Sequence, residues 1–302
     1  MPFRIRPDFD FTDEFRRVAT EQLERAIAVL EERPDGAHEA VHDFRKNVKR
    51  LRSLYRLVAK EVPNFQKRQN ARLRDTAKSL SSIRDAAALI GTAEYLQKGA
   101  RGDVESEALS RVVTILQARR DWMAEAESGL EQKLHDTAIS LKDAIAAVDK
   151  VSFKNNPRRN ARMLAKSWQR TLRRGRTALD ACHDTAAVED FHELRKRIYD
   201  YRLYHTLLRN LWPAAMKAKQ DAVKDLAERL GHVNDLSVLS QLVEAEPQLF
   251  TRNEDLAHLL DTIIFRQQEE RQSALADAGR VFADKPQREA NRIEALWQLS
   301  RN

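Results

Sequence analysis

Residues 42–52 read His-Asp-Phe-Arg-Lys-Asn-Val-Lys-Arg-Leu-Arg, and residues 192–202 read His-Glu-Leu-Arg-Lys-Arg-Ile-Tyr-Asp-Tyr-Arg. A shift of 150 residues, with no gap, places His42 on His192, Arg45 on Arg195, Lys46 on Lys196 and Arg52 on Arg202. The same shift carries Pro63 onto Pro213, Leu80 onto Leu230 and Asp85 onto Asp235, with Val48/Ile198 and Arg74/Lys224 as conservative matches. Register kept over this span, through a proline break, predicts an internal repeat. The expected organisation is a first helical repeat at 1–154 and a second at 155–302, joined near Lys154-Asn155-Asn156-Pro157. The match fades beyond about residue 95, and the first helix of each half matches poorly.

The rest of the chain agrees with helices. Only 8 Gly and 8 Pro interrupt 302 residues, and Ala, Leu, Glu, Arg and Lys fill the space between them. That composition favours long helices over a sheet. With 42% hydrophobic and 33% charged residues, the chain is too apolar to remain disordered. The punctuation predicts helices near 10–33, 38–61, 64–81, 85–98, 104–128 and 130–150. The second set is expected near 158–182, 187–211, 214–230, 235–246, 252–283 and 287–301. The fold class is therefore all-α, as two pseudo-symmetric helical bundles.

A formal charge of +7 points to an anionic partner, and Arg outnumbers Lys by more than two to one. The guanidinium fork matches phosphate oxygens, so the bias leans toward phosphate. A lone Cys182 rules out an intrachain disulfide and suits a reducing compartment. The first residues lack the apolar core of a signal peptide, and no run suits a membrane span, so a soluble, cytoplasmic protein is expected.

The charge is organised. At about 100° per residue, His38, His42, Arg45, Lys49, Arg52 and Arg56 share an arc of about 80° on one helix. Val41, Phe44, Val48, Leu51, Tyr55 and Val58 occupy a separate, core-facing arc. From His42 to Arg56 the row runs about 21 Å at the usual helical rise. A rigid linear array of donors suits a linear polyanion rather than one compact metabolite. In the second copy His192, Arg195 and Arg202 keep the face, with Lys196 beside it, while Tyr199 and Thr206 replace Lys49 and Arg56. The preceding helix can compensate: nine basic and no acidic residues lie between Lys154 and Arg176. There Arg159, Arg162, Lys166, Arg170 and Arg173 form one stripe. Surface helices normally intersperse carboxylates at i±4, and neither stripe does, which argues against an ordinary solvated face. A histidine repeated beside an arginine three residues on reads as a donor to anionic oxygen, doubly protonated when the anion binds. Arg84 is a further candidate for the basic surface. Asp85 and Asp235 read as helix N-caps or as carboxylates orienting an arginine.

His38-Glu39-Ala40-Val41-His42 also spells the H-E-x-x-H zinc-hydrolase pattern. Arg45 and Val48 stand where the extended motif needs Gly and His, and Arg45, Lys46 and Lys49 would repel a dication. The repeat keeps His192 but puts Val188 opposite His38. Glu61 is the remaining candidate for a distant third ligand. No phosphate-binding loop, nucleophile elbow or magnesium-type carboxylate cluster appears, so a non-catalytic protein without cofactor or metal is expected.

The doubled H-x-x-R-K-x-x-x-x-x-R spacing, with the Asp85 and Asp235 segments, resembles the CHAD (conserved histidine α-helical domain) family over about residues 8–300. The resemblance implies two pseudo-symmetric bundles around a basic central cavity. It also implies binding of inorganic polyphosphate and association with polyphosphate or polyhydroxyalkanoate granules. Carried over, the ligands are His42, Arg45, Lys46, Lys49 and Arg52, then His192, Arg195, Lys196 and Arg202. Tyr199 and Asp200 depart from basic positions of the pattern. The E-x-E-x-K motif of the triphosphate-processing domains often fused to this family is absent. A nucleic acid is the alternative polyanion, but base stacking needs exposed aromatics and Tyr199 is the one on either basic face.

Overall fold

The computed structural model describes residues 3–126 and 129–300, the side chains of residues 38, 81–85 and 124–126 excepted. Among the described residues there are eleven α-helices, two short 3-10 turns and no strand. In chain order they are α1 (Phe11–Glu32), α2 (Gly36–Leu57), α3 (Pro63–Ser79), α4 (Ser81–Lys98), α5 (Asp103–Ala126) and α6 (Leu130–Val148). Then come α7 (Pro157–Asp184), α8 (Val188–Leu207), α9 (Pro213–Ala245), α10 (Asn253–Val281) and α11 (Pro286–Leu299).

Local chemistry sets these boundaries. The Asp10 carboxylate caps α1 by accepting from the backbone N–H of Thr12 and Asp13, and Asn156 caps α7 through the Arg159 N–H. Pro63, Pro157, Pro213 and Pro286 each stand in the first turn of a helix, where the missing N–H costs nothing. Between α1 and α2 the chain turns through left-handed Arg33 (φ 45°) and Gly36 (φ 86°). α2 stops at Leu57, short of the expected 61, with Val58 leaving helical geometry as its C-cap (φ −102°, ψ 4°).

The one regrouping concerns residues 214–246. Two helices are expected from Gly231-His232-Val233-Asn234, but α9 runs unbroken through it. Leu230, Val233, Leu236 and Ser237 are all buried, so one continuous packed stripe outweighs the weak helix propensity of Gly231 and Asn234. Asp235 is consequently mid-helix and caps nothing. The N-cap of α4 is Leu80, so Asp85 is not an N-cap either, and its side chain lies outside the described residues.

Two hydrophobic clusters hold the helices together. The larger gathers α1–α3, α6–α8, the N-terminal half of α9, the C-terminal part of α10, and α11. Edge-to-face aromatic pairs run through it, including Phe11–Phe153, Tyr55–Phe65 and Trp168–Tyr201, each adding about 0.5–1.5 kcal/mol beyond burial. The smaller packs α4 and α5 against the C-terminal half of α9 and the N-terminal half of α10, through Leu96, Leu109, Leu239 and Ile263 among others. Both clusters draw on both sequence halves. Among the described residues no helix is long and apolar enough to cross a membrane.

Candidate functional site: a basic face where two motif helices meet

α2 divides as its periodicity predicts. Val41, Phe44, Val48, Leu51, Tyr55 and Val58 are buried, while Arg45, Lys49, Arg52 and Arg56 are half-buried and His42 and Lys46 exposed. Arg45 Nη1 donates to the Ala77 carbonyl at 2.9 Å, in the last turn of α3, where helix carbonyls lack intrahelical partners. Arg52 sits in a cluster of cations. Burial lowers its pKa first, then repulsion from Arg56, partly offset by Asp200, with Arg74 and Arg45 adding to it. The Nε of Arg52, the Nε of Arg56 and the Nη2 of Arg170 are buried without a hydrogen-bond partner. Burying such donors unsatisfied is costly, and the like charges around them add to the cost.

α8 packs against α2, and the departures from the motif meet its cations. Lys49 Nζ lies 5.3 Å from the centroid of the Tyr199 ring, a cation–π contact between positions that correspond under the 150-residue shift. Burial pushes the Tyr199 hydroxyl pKa up, against the nearby charges of Arg202, Arg50 and Arg195. Those three cations and Lys49 thus surround one ring. Asp200 is 2% exposed and accepts a hydrogen bond from Arg56 Nη2, with Arg197 Nη1 3.8 Å away. Arg56 therefore arrives already paired. Arg197 also donates from Nε to Glu193 at 2.6 Å.

The remaining expected residues are dispersed around this centre. Lys46 and Lys196 make equivalent pairs three residues back, with Asp43 (2.9 Å) and Glu193 (3.5 Å). His192 Nδ1 is 2.9 Å from Asn234 Oδ1, and Asn234 Nδ2 donates to Asp235 Oδ1. His42 opens onto a cleft of about 380 Å³ with Glu39, Tyr95, His232 and Asp235. Burial and then the charge of Lys46 lower the His42 pKa, with Glu39 and Asp43 opposing the shift. On α7, Lys166 and Arg173 are exposed and Arg170 half-buried. His38 and Arg84, expected as contributors, lie outside the described residues.

Sequence reasoning missed an organising carboxylate. Glu270 on α10, 7% exposed, accepts from the Tyr95 hydroxyl (2.6 Å) and contacts His232 Nδ1 (3.1 Å) and Arg229 Nη1 (3.4 Å). It holds the stacked Tyr95 and His232 rings at the cleft wall. No local motif marks it; only the buried register of a charged residue in α10 hinted at it.

The zinc pattern finds partial geometry. Glu39, His42 and Asp43 place ligand atoms within 4.8 Å of one another, but Lys46 engages Asp43. Glu61, the distant third ligand considered above, is instead paired with Arg159 at 2.6 Å.

Comparison with known proteins closes the identification. The sequence matches the family model for the CHAD domain over residues 17–244. Among solved structures, the chain is similar to the crystal structure of the CHAD domain from the plant Ricinus communis. That likeness has a TM-score of 0.57 at 19% sequence identity and covers 99% of this chain and 96% of that chain. At this identity it speaks for the fold. No curated protein matches the chain. A family match across most of the sequence and an all-helical fold shared from end to end lead to one conclusion: this chain belongs to the CHAD family.

Proposed function

We propose that this protein binds inorganic polyphosphate without catalysing its turnover, along the face where α2 and α8 meet. The carrying observation is the pair of buried, unpartnered guanidinium N–H groups on Arg52 and Arg56, whose charges lie among those of Arg45 and Arg74, with a third such group on Arg170. An anion lying along the face meets the exposed edges of these guanidinium groups and relieves the repulsion among them. Lys49, Arg195 and Arg202, grouped around Tyr199, extend the same surface onto α8. The expected ligand set is His42, Arg45, Lys46, Lys49, Arg52, His192, Arg195, Lys196 and Arg202, with Arg56, Lys166, Arg170 and Arg173 beside it.

This reading includes an internal repeat whose halves face each other across a basic central cavity. Equivalent helix starts favour it: Pro63 opens α3 as Pro213 opens α9, and Asp103 opens α5 as Asn253 opens α10. The meeting of Lys49 with its counterpart Tyr199 is what a pseudo-two-fold relation between the halves would produce, and it supports this reading. A cytoplasmic location, at polyphosphate or polyhydroxyalkanoate granules, belongs to the same proposal.

The test is binding of long-chain polyphosphate to wild type and to the Arg45→Glu/Arg195→Glu double variant, with circular dichroism as the folding control. Loss of binding with helicity intact is expected. Normal binding by the double variant overturns the proposed face. Single-stranded RNA and duplex DNA serve as competitors at equal phosphate concentration. Half-buried Tyr199, engaged by Lys49, is a poor stacking platform, so polyphosphate should outcompete both.

A further inference from the structure

The basic row of α2 does not stop at the end of its helix. Ser167 Oγ donates to the Leu57 carbonyl at 2.6 Å, pinning α7 against α2 just beyond Arg56. The charges of Arg56 and Arg170 both reach the buried Tyr204 hydroxyl. One turn further on, Lys60 faces Arg158, Arg159, Arg162 and Lys166 across a cleft of about 540 Å³. Arg159 is paired with Glu61, and Arg162 lies 3.5 Å from Glu294. Lys60, Arg158 and Lys166 are exposed and have no hydrogen-bond or ion-pair partner among the described residues. Three unneutralised cations thus converge on one cleft in line with a cationic row, and the carboxylate that lines it, Glu61, is already engaged by Arg159.

We propose that the anion track turns from α2 onto α7 and ends in this cleft, so that tight binding requires a polyphosphate long enough to span both segments. The inference rests on the polyphosphate reading and deepens it into a length requirement. Arg158 to Arg170 covers about 18 Å of helix, in addition to the roughly 21 Å from His42 to Arg56. Tripolyphosphate can occupy either segment but cannot bridge them. A long chain engages both, and the second contact is made at the high effective concentration that linkage provides.

The experiment compares tripolyphosphate and long-chain polyphosphate, each at two salt concentrations, on the full-length protein. The triple variant Lys60→Gln/Arg158→Gln/Lys166→Gln should bind the long chain about 10-fold more weakly, lower the salt-dependence slope by about 2, and narrow the preference for the long chain over tripolyphosphate. A second triple variant, Lys98→Gln/Lys142→Gln/Lys217→Gln, removes the same charge elsewhere and should change neither. If both triple variants weaken long-chain binding equally, net charge explains the effect and the cleft is not a subsite. If the cleft variant binds normally while Arg45→Glu/Arg195→Glu does not, the length requirement falls and the polyphosphate reading stands. If wild type binds neither ligand, both fall.

Discussion

Replacing Asp200 with Asn preserves the shape of α8 and removes a carboxylate buried in the middle of the basic face. The Asp200 side chain is 3% exposed and that of Arg56 29%, so the pair sits at the boundary of the interior. Two unit charges about 4 Å apart attract by about 4 kcal/mol at an effective dielectric of about 20. The partial exposure of Arg56 and the desolvation both groups incur reduce the net loss to about 2 kcal/mol. For a chain of this size that corresponds to a fall in Tm of about 3 °C. Anion binding should move the other way. Arg56 loses its internal counterion, and polyphosphate affinity should rise about 3- to 10-fold at low ionic strength. Thermal unfolding with and without polyphosphate reads both effects: the variant melts lower alone but gains more from the ligand. The double variant Arg56→Gln/Asp200→Asn should recover part of the stability, since the orphaned guanidinium is gone. Unchanged Tm with weakened polyphosphate binding would refute the reasoning, because Asp200 would then be positioning the ligand rather than competing with it.

Three further outcomes follow from described contacts. Burial raises the pKa of Glu14, but hydrogen bonds from Arg17 and Arg6 outweigh it and hold the carboxylate at about 2 against an ordinary 4.5. Its contribution, about 3 kcal/mol, is complete above the ordinary value and drains away as pH falls toward 2; Glu14→Gln should lower stability at pH 7 and flatten the acid limb of a urea-unfolding series. Gly175 is buried on α7 with its Cα against the Phe282 ring, so Gly175→Ala drives a methyl into that ring; a loss of about 1–3 kcal/mol is expected by denaturant titration, and Phe282→Leu in the same chain should restore part of it. Tyr199→Lys sets a second ammonium opposite Lys49, so salt should stabilise the variant more than wild type, and a Tm independent of salt would count against the contact.

The helices were legible because their signals are local. Pro63, Pro157, Pro213 and Pro286 open helices as the sequence leads one to expect, and the apolar stripe of α2 faces the core residue for residue. Propensity breaks α9 at Gly231 and Asn234 because it sees those residues and not the burial of Leu230, Val233 and Leu236 in the fold. The site was half legible. Periodicity grouped Arg45, Lys49, Arg52 and Arg56 correctly, since one helix carries them. It could not show that Asp200, from a helix 144 positions away, would meet Arg56, nor that Glu270 would gather Tyr95, His232 and Arg229. Those partners depend on how helices cross, and no spacing rule within one helix encodes that. Tyr199 and Asp200 looked like losses of charge; in the fold they are what Lys49 and Arg56 lean on.

The smaller hydrophobic cluster bears on how the molecule can be cut. The family-model match ends at residue 244, yet Phe250, Leu259 and Ile263 beyond it pack against α4 and α5, in the first half of the sequence. A fragment stopping at the edge of similarity would keep both motif helices and still strip one wall from a bundle begun some 150 residues earlier. It would leave Leu96, Leu109 and Val112 facing water and Glu270 missing from beside Tyr95. The span that the sequence pattern of the family marks is therefore shorter than the span that must be synthesised before either cluster is complete, and the last two helices act as a closure for elements laid down in the first half.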